Sequence, residues 1–182
     1  MTPDPRRRRG RKPGRPEGRT VGMRISLLMA SALALILPSS LRAQSADSAA
    51  VLQVTRNVFD AMRARDTTLL KSAFAPDARL TNAMVGRDGA PRVMSEKLEG
   101  FVTALAQPSP EVWDERTYNA EVRLDGNLAT VWMEYDFYLG RRFSHCGVDA
   151  FQLARFADGW KIVALADTRR REGCPRPPDP AE

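Results

Sequence analysis

The sequence predicts an α+β domain in which three helices precede a long antiparallel sheet and cover one face of it. Apolar residues recur at helical spacing through much of residues 47–105, whereas from about residue 112 they alternate with polar residues, as in strands. The turn sequences Asp125-Gly126 and Ala157-Asp158-Gly159 divide this second part into hairpins. Helices followed by hairpins favour an α+β fold over a parallel α/β fold.

Two helices are predicted before the first strand. A helix over residues 47–64 has one apolar stripe, formed by Val51, Val54, Val58 and Met62. Asp66 is a suitable N-cap for a second, short helix whose apolar residues are Leu69, Leu70, Ala73 and Phe74. Pro76-Asp77 is expected to end this helix, and residues 78–85 are predicted as a strand.

A third helix is expected after a loop. Gly86, Gly89 and Pro91 predict the loop, and Ser95 is expected to cap the helix that follows. The apolar stripe of this helix consists of Leu98, Phe101, Val102 and Leu105, and Pro108 and Pro110 end it.

Four strands are predicted in the remaining part of the domain, over residues 112–124, 128–139, 143–156 and 160–169. In the first of them one face contains Tyr118, Ala120, Val122 and Leu124. In the second the inner face contains Ala129, Val131, Met133, Tyr135, Phe137 and Leu139, and the outer face Trp132, Glu134, Asp136 and Tyr138. Val163 and Leu165 are the expected inner residues of the last strand.

The order of elements and two sequence phrases resemble a known superfamily. The phrases are Arg65-Asp66-Thr67-Thr68-Leu69-Leu70 leading to Phe74-Ala75-Pro76-Asp77-Ala78, and Asp158-Gly159-Trp160-Lys161-Ile162-Val163 at the start of the last strand. Residues 47–172 resemble the nuclear transport factor two-like superfamily, with its SnoaL-like, ketosteroid-isomerase-like cone fold. The resemblance implies a cone-shaped barrel of curved antiparallel β-sheet packed on about three N-terminal α-helices. The superfamily contains isomerases, dehydratases and cyclases as well as binding proteins without chemistry, so the fold alone assigns no function.

Positive charge is concentrated in the N-terminal leader. Residues 1–43 have ten basic and two acidic residues, a net charge of +8, whereas the other 139 residues carry −2. The folded part therefore lacks the basic surplus that neutralises phosphates, and no nucleic-acid partner is expected.

The leader is predicted to direct export. Residues 25–37 are apolar but too short to span a bilayer, which is typical of a secretory signal peptide. Cleavage after Ala43 would leave a domain over residues 44–172 and a Pro-rich flexible tail over 173–182, with no stable membrane span and a periplasmic or secreted location. The basic segment before Met23 is interpreted either as a disordered nucleic-acid-binding or targeting arm or as sequence upstream of a true start at Met23.

Two cysteines and one histidine limit the chemistry. Export would place Cys146 and Cys174 in an oxidising environment, where a disulfide is expected; two free thiols are the alternative. The sequence lacks a metal-ligand cluster, a phosphate-binding Gly-rich loop and a Gly-x-Ser-x-Gly motif. We therefore expect no metal and no cofactor.

Estimated hairpin registers bring several polar side chains together. Aligning Phe156 with Trp160 places Leu153 opposite Val163, Phe151 opposite Leu165 and Asp149 opposite Asp167. Aligning Leu139 with Phe143 places Phe137 opposite His145, Tyr135 opposite Gly147 and Met133 opposite Asp149. The predicted pocket has Asp149, His145 and Tyr135 as candidate catalytic residues, and Asp167, Met133, Phe151 and Phe137 as candidate ligand-binding residues.

Each polar candidate has a structural alternative. Adjacent carboxylates would raise the pKa of one of them, which suits acid–base chemistry. Alternatively, Asp149 and Asp167 each pair with a basic residue, such as Arg169, Arg155 or Arg92. His145 is either an acid–base group or a rim histidine with a local hydrogen bond.

Three functions are consistent with these patterns, and the sequence leaves open whether the domain is an enzyme. The first is an exported domain that binds a small apolar or amphipathic molecule without a defined reaction. The second is a cofactor-free isomerase, dehydratase or cyclase that uses Asp149, His145 and Tyr135. The third is an interaction module that forms a homodimer through the outer face around Trp132.

Overall fold

The computed structural model describes residues 39–174, which form three helices and six strands. The elements in chain order are α1 (Ser39–Ala64), α2 (Thr67–Ala73), β1 (Phe74–Val85), β2 (Pro91–Lys97), α3 (Leu98–Ala106), β3 (Trp113–Asp125), β4 (Leu128–Leu139), β5 (Arg142–Phe156) and β6 (Gly159–Arg169). Residues 1–38, which include the apolar segment of the predicted signal peptide, and most of the predicted Pro-rich tail lie outside the described residues. Helix α1 begins at Ser39, before the predicted cleavage position.

The six strands form one sheet in the order β2-β1-β6-β5-β4-β3. The sheet is curved but not closed, so β2 and β3 are its edges. Strand β1 runs parallel to β6, whereas every other neighbouring pair is antiparallel. The predicted α+β cone fold with helices on a curved sheet is confirmed, with the correction that the sheet is mixed and open. The alternation of apolar and polar residues shows which side chains share a face of a strand, but not which distant strand lies beside it. The parallel pairing of β1 with β6 was therefore not predicted.

The start of α2 follows the prediction, but its end does not. Asp66 is the N-cap, and one of its carboxylate oxygens accepts hydrogen bonds of 2.9 Å from the backbone N–H groups of Thr68 and Leu69. The helix ends at Ala73, and Phe74 already belongs to β1, where it pairs with Ile162. Pro76 lies in β1, where the register with β6 shifts, so its missing N–H interrupts no regular ladder.

Residues 91–97 form the edge strand β2 instead of a loop and a helix start. Ser95 does not cap α3: it pairs with Thr81 of β1, and the two hydroxyl oxygens lie 3.0 Å apart. Helix α3 begins at Leu98 after Lys97, which makes no side-chain cap hydrogen bond. All residues of β2 are exposed, so the strand has no apolar alternation that a sequence pattern could reveal.

Irregular pairing shifts two predicted registers. Phe156 pairs with Gly159 and Leu153 pairs with Ile162, because β6 has an extra residue at the irregularity beside Gln152. The buried inner residues of β6 are consequently Trp160 and Ile162, and Val163 is only partly buried. Irregular geometry of this kind changes which side chains face inward without any change in local hydrophobic pattern.

A second irregularity lies at the turn between β4 and β5. Phe143 pairs with Tyr138 on the outer face, and Leu139 pairs with Arg142. The predicted pairs at Phe137, Tyr135, Met133 and Phe151, and the pair of Asp149 with Asp167, are all present.

The hydrophobic core lies between the helices and the inner face of the sheet. Its fully buried members include Val51, Val58, Leu70, Leu105, Phe151, Leu153 and Ile162. Phe59 of α1 meets Phe151 of β5 edge-on, with ring centroids 6.1 Å apart. Each such buried apolar side chain stabilises the fold by about 1.5–3 kcal/mol, so the core fixes the helices against the sheet.

The disulfide predicted from the sequence is present. Cys146 of β5 and Cys174 are bonded, with their Cα atoms 5.9 Å apart. Cys146 is fully buried, and its backbone also pairs with Arg170 beyond the end of β6. Across residues 39–174, no helix has the length and apolar character needed to cross a membrane.

Candidate functional site

A cavity of about 590 Å³ lies between the helices and the inner face of the sheet. Most of its wall is apolar and includes Phe59, Met62, Phe101, Trp113, Phe137 and Leu165. The polar side chains of the wall are grouped on the strands, and include Asn82, Glu115, Tyr135, His145, Asp149, Asp167 and Arg169. The cavity therefore has an apolar wall and a polar end.

Glu115 reaches the cavity because of a bulge in β3. Tyr118 pairs with Glu134 but Glu121 pairs with Trp132, so two residues of β3 oppose one residue of β4. Asn119 lies in this bulge and has a left-handed φ of 53°. Before the bulge, β3 directs its odd-numbered residues inward, including Glu115 opposite Phe137.

The bulge also corrects the predicted face of Tyr118. The sequence pattern grouped Tyr118 with Val122 and Leu124 on one face, but Tyr118 lies on the opposite, outer face, where its hydroxyl donates to Asp136 at 3.4 Å. Trp113 and Val122 are apolar and both pack inward, although an odd number of positions separates them. Residues of a regular strand share a face only at even spacing, so this odd spacing is the sequence signal that would have indicated the bulge.

Glu115 and Asp149 form a carboxyl pair at the polar end. Their side chains hydrogen-bond to each other, which requires a proton between them. Burial is the main cause that raises the pKa of Asp149 well above its usual range, and the charge and hydrogen bond of Glu115 add to it. Burial raises the pKa of Glu115 to about 7, while its hydrogen bond to Asp149 acts in the opposite direction. Near neutral pH the proton therefore resides on Asp149 and is donated to Glu115.

Asp167, in contrast, is surrounded by donors. Its Oδ2 atom accepts from Nε of Arg169 at 2.8 Å and from Nδ2 of Asn82 at 2.7 Å. The hydroxyl of Tyr135 lies 3.5 Å from the same oxygen. Asp167 thus forms the ion pair with a basic residue that was one of the two predicted alternatives. Asp149 has the raised pKa that was the other.

The other two arginines considered as partners lie elsewhere. Arg155 forms an ion pair with Asp47, and Arg92 forms one with Asp88.

Tyr135 is fixed by contacts with two neighbouring strands. Its ring packs against Gly147 of β5, where an added Cβ would lie 2.7 Å from Cε1 of the ring and would overlap the carbonyl oxygen of Thr168. Its hydroxyl donates to that carbonyl at 2.7 Å. Burial raises the pKa of Tyr135, so the hydroxyl keeps its proton. The proton is thus engaged with the backbone, and the geometry gives no support to its predicted catalytic use.

His145 lies at the cavity wall between aromatic rings. Its ring meets Tyr135 edge-on at 5.7 Å and is tilted against Phe137 at 4.9 Å. Nδ1 lies 3.0 Å from the hydroxyl of Ser144, the local hydrogen bond that was considered as an alternative. Burial, together with the charge of Arg169, lowers the pKa of His145 to about 4, so its imidazole is neutral near pH 7.

Two oxygens at the polar end have no hydrogen-bond partner. They are Oδ2 of Asp149 and Oδ1 of Asn82, and both side chains are more than nine-tenths buried. Unpaired buried acceptors cost free energy, so these two oxygens attract a donor.

The structure brings most of the predicted site residues to one cavity. Asp149, His145, Tyr135, Asp167 and Phe137 line it. The side chains of two further candidates, Met133 and Phe151, are buried in the core and are not among the lining residues. The sequence analysis missed Asn82 and Glu115, and it considered Arg169 only as an ion-pair partner.

Comparison with known proteins assigns the chain to a family. A family model described as "Putative lumazine-binding" matches residues 46–166, which is more than half of the chain. The chain belongs to this family. The match begins within α1 and includes all of α2, α3 and strands β1 to β5, and it ends within β6. No curated protein matches the chain at a significant level.

Solved structures share the fold of this family member. An NTF2-like protein of unknown function from Shewanella baltica OS155 has a TM-score of 0.55 and 18% identity, with 70% of this chain and 97% of that chain covered. A "putative dehydratase from the NTF2-like family" from Streptomyces avermitilis has a TM-score of 0.56 and 18% identity, with 70% and 98% covered.

The beta subunit of a "putative aromatic-ring-hydroxylating dioxygenase" from Novosphingobium aromaticivorans DSM 12444 is similar as well. It has a TM-score of 0.57 and 14% identity, with 70% of this chain and 91% of that chain covered. At these identities the likeness establishes the fold alone, and the chain has the NTF2-like α+β cone fold that the sequence predicted.

Proposed function

We propose that the domain binds a small apolar or amphipathic molecule in the cavity described above. The observation that carries the proposal is the shape and chemistry of this cavity: about 590 Å³, an apolar wall and polar groups at one end. Ligand sites in proteins are usually clefts of about 300–1,000 Å³ with this distribution of side chains. The family's description, which names lumazine binding, supports a small-molecule ligand as well.

Native mass spectrometry of residues 44–182 produced in a bacterial periplasm tests this proposal. A retained mass of a few hundred daltons, lost on denaturation, is the expected result. Ala104 of α3 lines the cavity and its neighbour Thr103 does not, so Ala104→Phe should reduce the retained mass while Thr103→Phe should not. Equal retention in both variants would show that any bound molecule lies elsewhere.

A second candidate function is cofactor-free proton transfer, which the carboxyl pair favours. Asp149 holds a proton that it can donate to a substrate oxygen, and Glu115, with a pKa raised to about 7, can accept a proton from a substrate carbon. This division suits an isomerase, dehydratase or cyclase. The neutral His145 would contribute a hydrogen bond without carrying charge.

Substitution separates this candidate from simple binding. If the pair is catalytic, Asp149→Asn abolishes turnover of a candidate substrate while the far-UV spectrum and ligand retention stay as in the wild type. Turnover that survives Asp149→Asn would overturn the acid–base assignment and leave the binding function in place.

The proposal includes export to an oxidising compartment. The Cys146–Cys174 disulfide supports it, because disulfides persist mainly in periplasmic and secreted proteins. Fractionation of cells that express the full chain should place the processed domain in the periplasm or medium. Unprocessed chain in the cytoplasm would contradict this location.

A homodimer is proposed through the outer face of the sheet. Trp132 of β4 is 54% exposed there, a large apolar side chain in the middle of a long strand. Sedimentation should show a concentration-dependent dimer that Trp132→Glu weakens. Val93→Glu, at an equally apolar exposed position on β2, is the control and should leave the dimer intact. A monomer at high concentration would end this proposal.

A further inference from the structure

The polar end of the cavity contains two buried acceptors without a hydrogen-bond partner. Oδ2 of Asp149 and Oδ1 of Asn82 are both buried, both belong to cavity-lining side chains, and neither has a hydrogen-bond partner. We propose that this end is a subsite for the protonated amine of the bound molecule, an inference that rests on the proposed ligand-binding function.

Three donors of the cavity wall are engaged with protein acceptors. The hydroxyl of Tyr135 donates to the carbonyl of Thr168 at 2.7 Å, and Nδ2 of Asn82 donates to Asp167 at 2.7 Å. Nε of Arg169 also donates to Asp167, at 2.8 Å. A ligand carboxylate would compete with Asp167 for Nδ2 of Asn82 and Nε of Arg169.

The orientation of the Asn82 amide is fixed by its neighbour. Rotating the amide by half a turn would place Oδ1 against the carboxylate oxygen of Asp167, so Nδ2 must face Asp167. Oδ1 of Asn82 is therefore an acceptor that remains free.

The carboxyl pair presents a second free acceptor. Because Asp149 donates its proton to Glu115, Oδ2 of Asp149 is the carbonyl oxygen of a protonated acid. It accepts a hydrogen bond and donates none. An ammonium group has three N–H donors and no acceptor, which complements this set of oxygens.

Charge acts in the same direction. Three carboxyl groups, those of Glu115, Asp149 and Asp167, share the polar end with the guanidinium of Arg169. The charges of Arg63 and Arg171 also act on this region, on Glu115 and His145 respectively. At the cavity wall itself, three carboxyl groups face one guanidinium, so the wall favours a cation over an added carboxylate.

Three probes with the same aromatic body test the inference at pH 7 by calorimetric titration of the disulfide-bonded domain. They are 2-(1-naphthyl)ethylamine, 1-naphthylacetate and 1-ethylnaphthalene. We expect the amine to bind at least tenfold more tightly than the hydrocarbon, because charge-assisted hydrogen bonds add to the same apolar contact. The carboxylate should bind at least tenfold more weakly than the hydrocarbon.

A matched pair of variants on β3 locates the effect. Glu115→Leu removes a carboxyl from the cavity and should reduce the preference for the amine over the hydrocarbon by at least tenfold. Glu121→Leu, on the outer face of the same strand, should leave the preference unchanged. A preference that both variants retain would overturn the subsite.

The outcomes separate this inference from the binding function on which it rests. Binding of 1-ethylnaphthalene that Ala104→Phe abolishes, without preference for the amine, would overturn the amine subsite and support the apolar cavity. Failure of all three probes to bind would count against both.

Discussion

Glu115 and Asp149 show how burial and proximity control a carboxyl group. Both lie at the polar end of the cavity, on β3 and β5, and each affects the protonation of the other. The pKa of Glu115 is raised from 4.5 to about 7, mainly by burial. The folded protein therefore holds a proton over a pH range in which the unfolded chain has released it.

Replacing Glu115 should change how stability depends on pH. Between pH 4.5 and 7 the folded state binds the extra proton, so the free energy of unfolding falls as pH rises through this range. Glu115→Gln removes this contribution, so the stability of the variant relative to the wild type should rise as pH increases from 4.5 to 7. Urea unfolding at a series of pH values measures the difference.

His145 provides a control, because its effect on the pH dependence of stability should be opposite to that of Glu115. Its pKa falls from 6.5 to about 4 in the folded state, so the unfolded chain binds the proton more tightly and stability rises between pH 4 and 6.5. His145→Asn should lose this rise and become less stable relative to the wild type as pH increases. Difference curves with the same sign for both variants would contradict the assigned pKa directions.

Gly147 is required by the packing of Tyr135. A Cβ there would overlap the backbone carbonyl of Thr168, and neither a strand backbone nor a buried ring can move away easily. We expect Gly147→Ala to destabilise the domain by about 3 kcal/mol, measured by urea unfolding. Gly100→Ala is the control: it lies in α3, its Cβ meets only the flexible end of Glu96, and alanine favours the helix, so its stability should be equal or slightly higher.

The sequence identified Asp149 as a site residue but not its partner Glu115. Asp149 lies on a strand whose central register followed from two hairpin turns, so its face and its neighbour Asp167 were predictable. The face of Glu115 depends on an extra residue in β3, and counting alternation back from the turn gives the wrong side.

At the level of elements, the bulge divides strand β3 into two halves: odd-numbered residues face inward before it, and even-numbered residues face inward after it. The half after the bulge contributes Val122 and Leu124 to the core, and the half before it contributes Glu115 and Trp113 to the cavity. Asn119 makes the change possible by adopting a φ of 53°, and Nδ2 of Asn119 donates to Glu134 at 3.2 Å. The bulge therefore positions the carboxyl pair.

Substitutions at Asn119 should separate backbone from side-chain effects. Asn119→Gly loses the hydrogen bond but adopts the left-handed conformation without strain, so its cost should be less than 1 kcal/mol. Asn119→Val loses the bond and strains the backbone, at a further cost of about 1–2 kcal/mol. Thermal unfolding of the two variants gives the difference, and equal stabilities would show that the backbone conformation is not limiting.

Other elements show what local patterns reveal. The cap at Asp66 was predictable because an N-cap is a local feature, satisfied by N–H groups two and three residues later. Strand β2 was not, because its residues are all exposed and its conformation depends on pairing with β1, which no local pattern encodes.

At the scale of the whole molecule, the disulfide ties the chain beyond β6 to the middle of the sheet. Cys146 and Cys174 are separated by 28 positions, and closing a loop of this length stabilises the folded state by about 3.5 kcal/mol on the chain-entropy estimate. Cys174→Ser should therefore lower the midpoint of thermal unfolding by at least several degrees. A reducing agent should lower the wild type to the same extent and leave the variant unchanged; a reductant effect on the variant would contradict this assignment.

The class of fold followed from the sequence, but the arrangement of the whole sheet did not. Helical and strand periodicities, with two turn signals, were enough for three helices against a sheet. The parallel pair of β1 and β6 joins strands that are about 80 residues apart, and it places Asn82 beside Asp167. Because no local pattern encodes this pairing, the donor that orients Asp167 could be found only from the structure.

The bulge at Asn119 also has an evolutionary consequence. Since successive residues of a strand face opposite sides, losing one codon within the bulge would restore regular alternation and turn Glu115 outward, bringing Asp114 or Arg116 to the cavity side. A family that keeps this scaffold can thus exchange an acid for a base, or remove the charge, by a single insertion or deletion that leaves every core residue after the bulge in place.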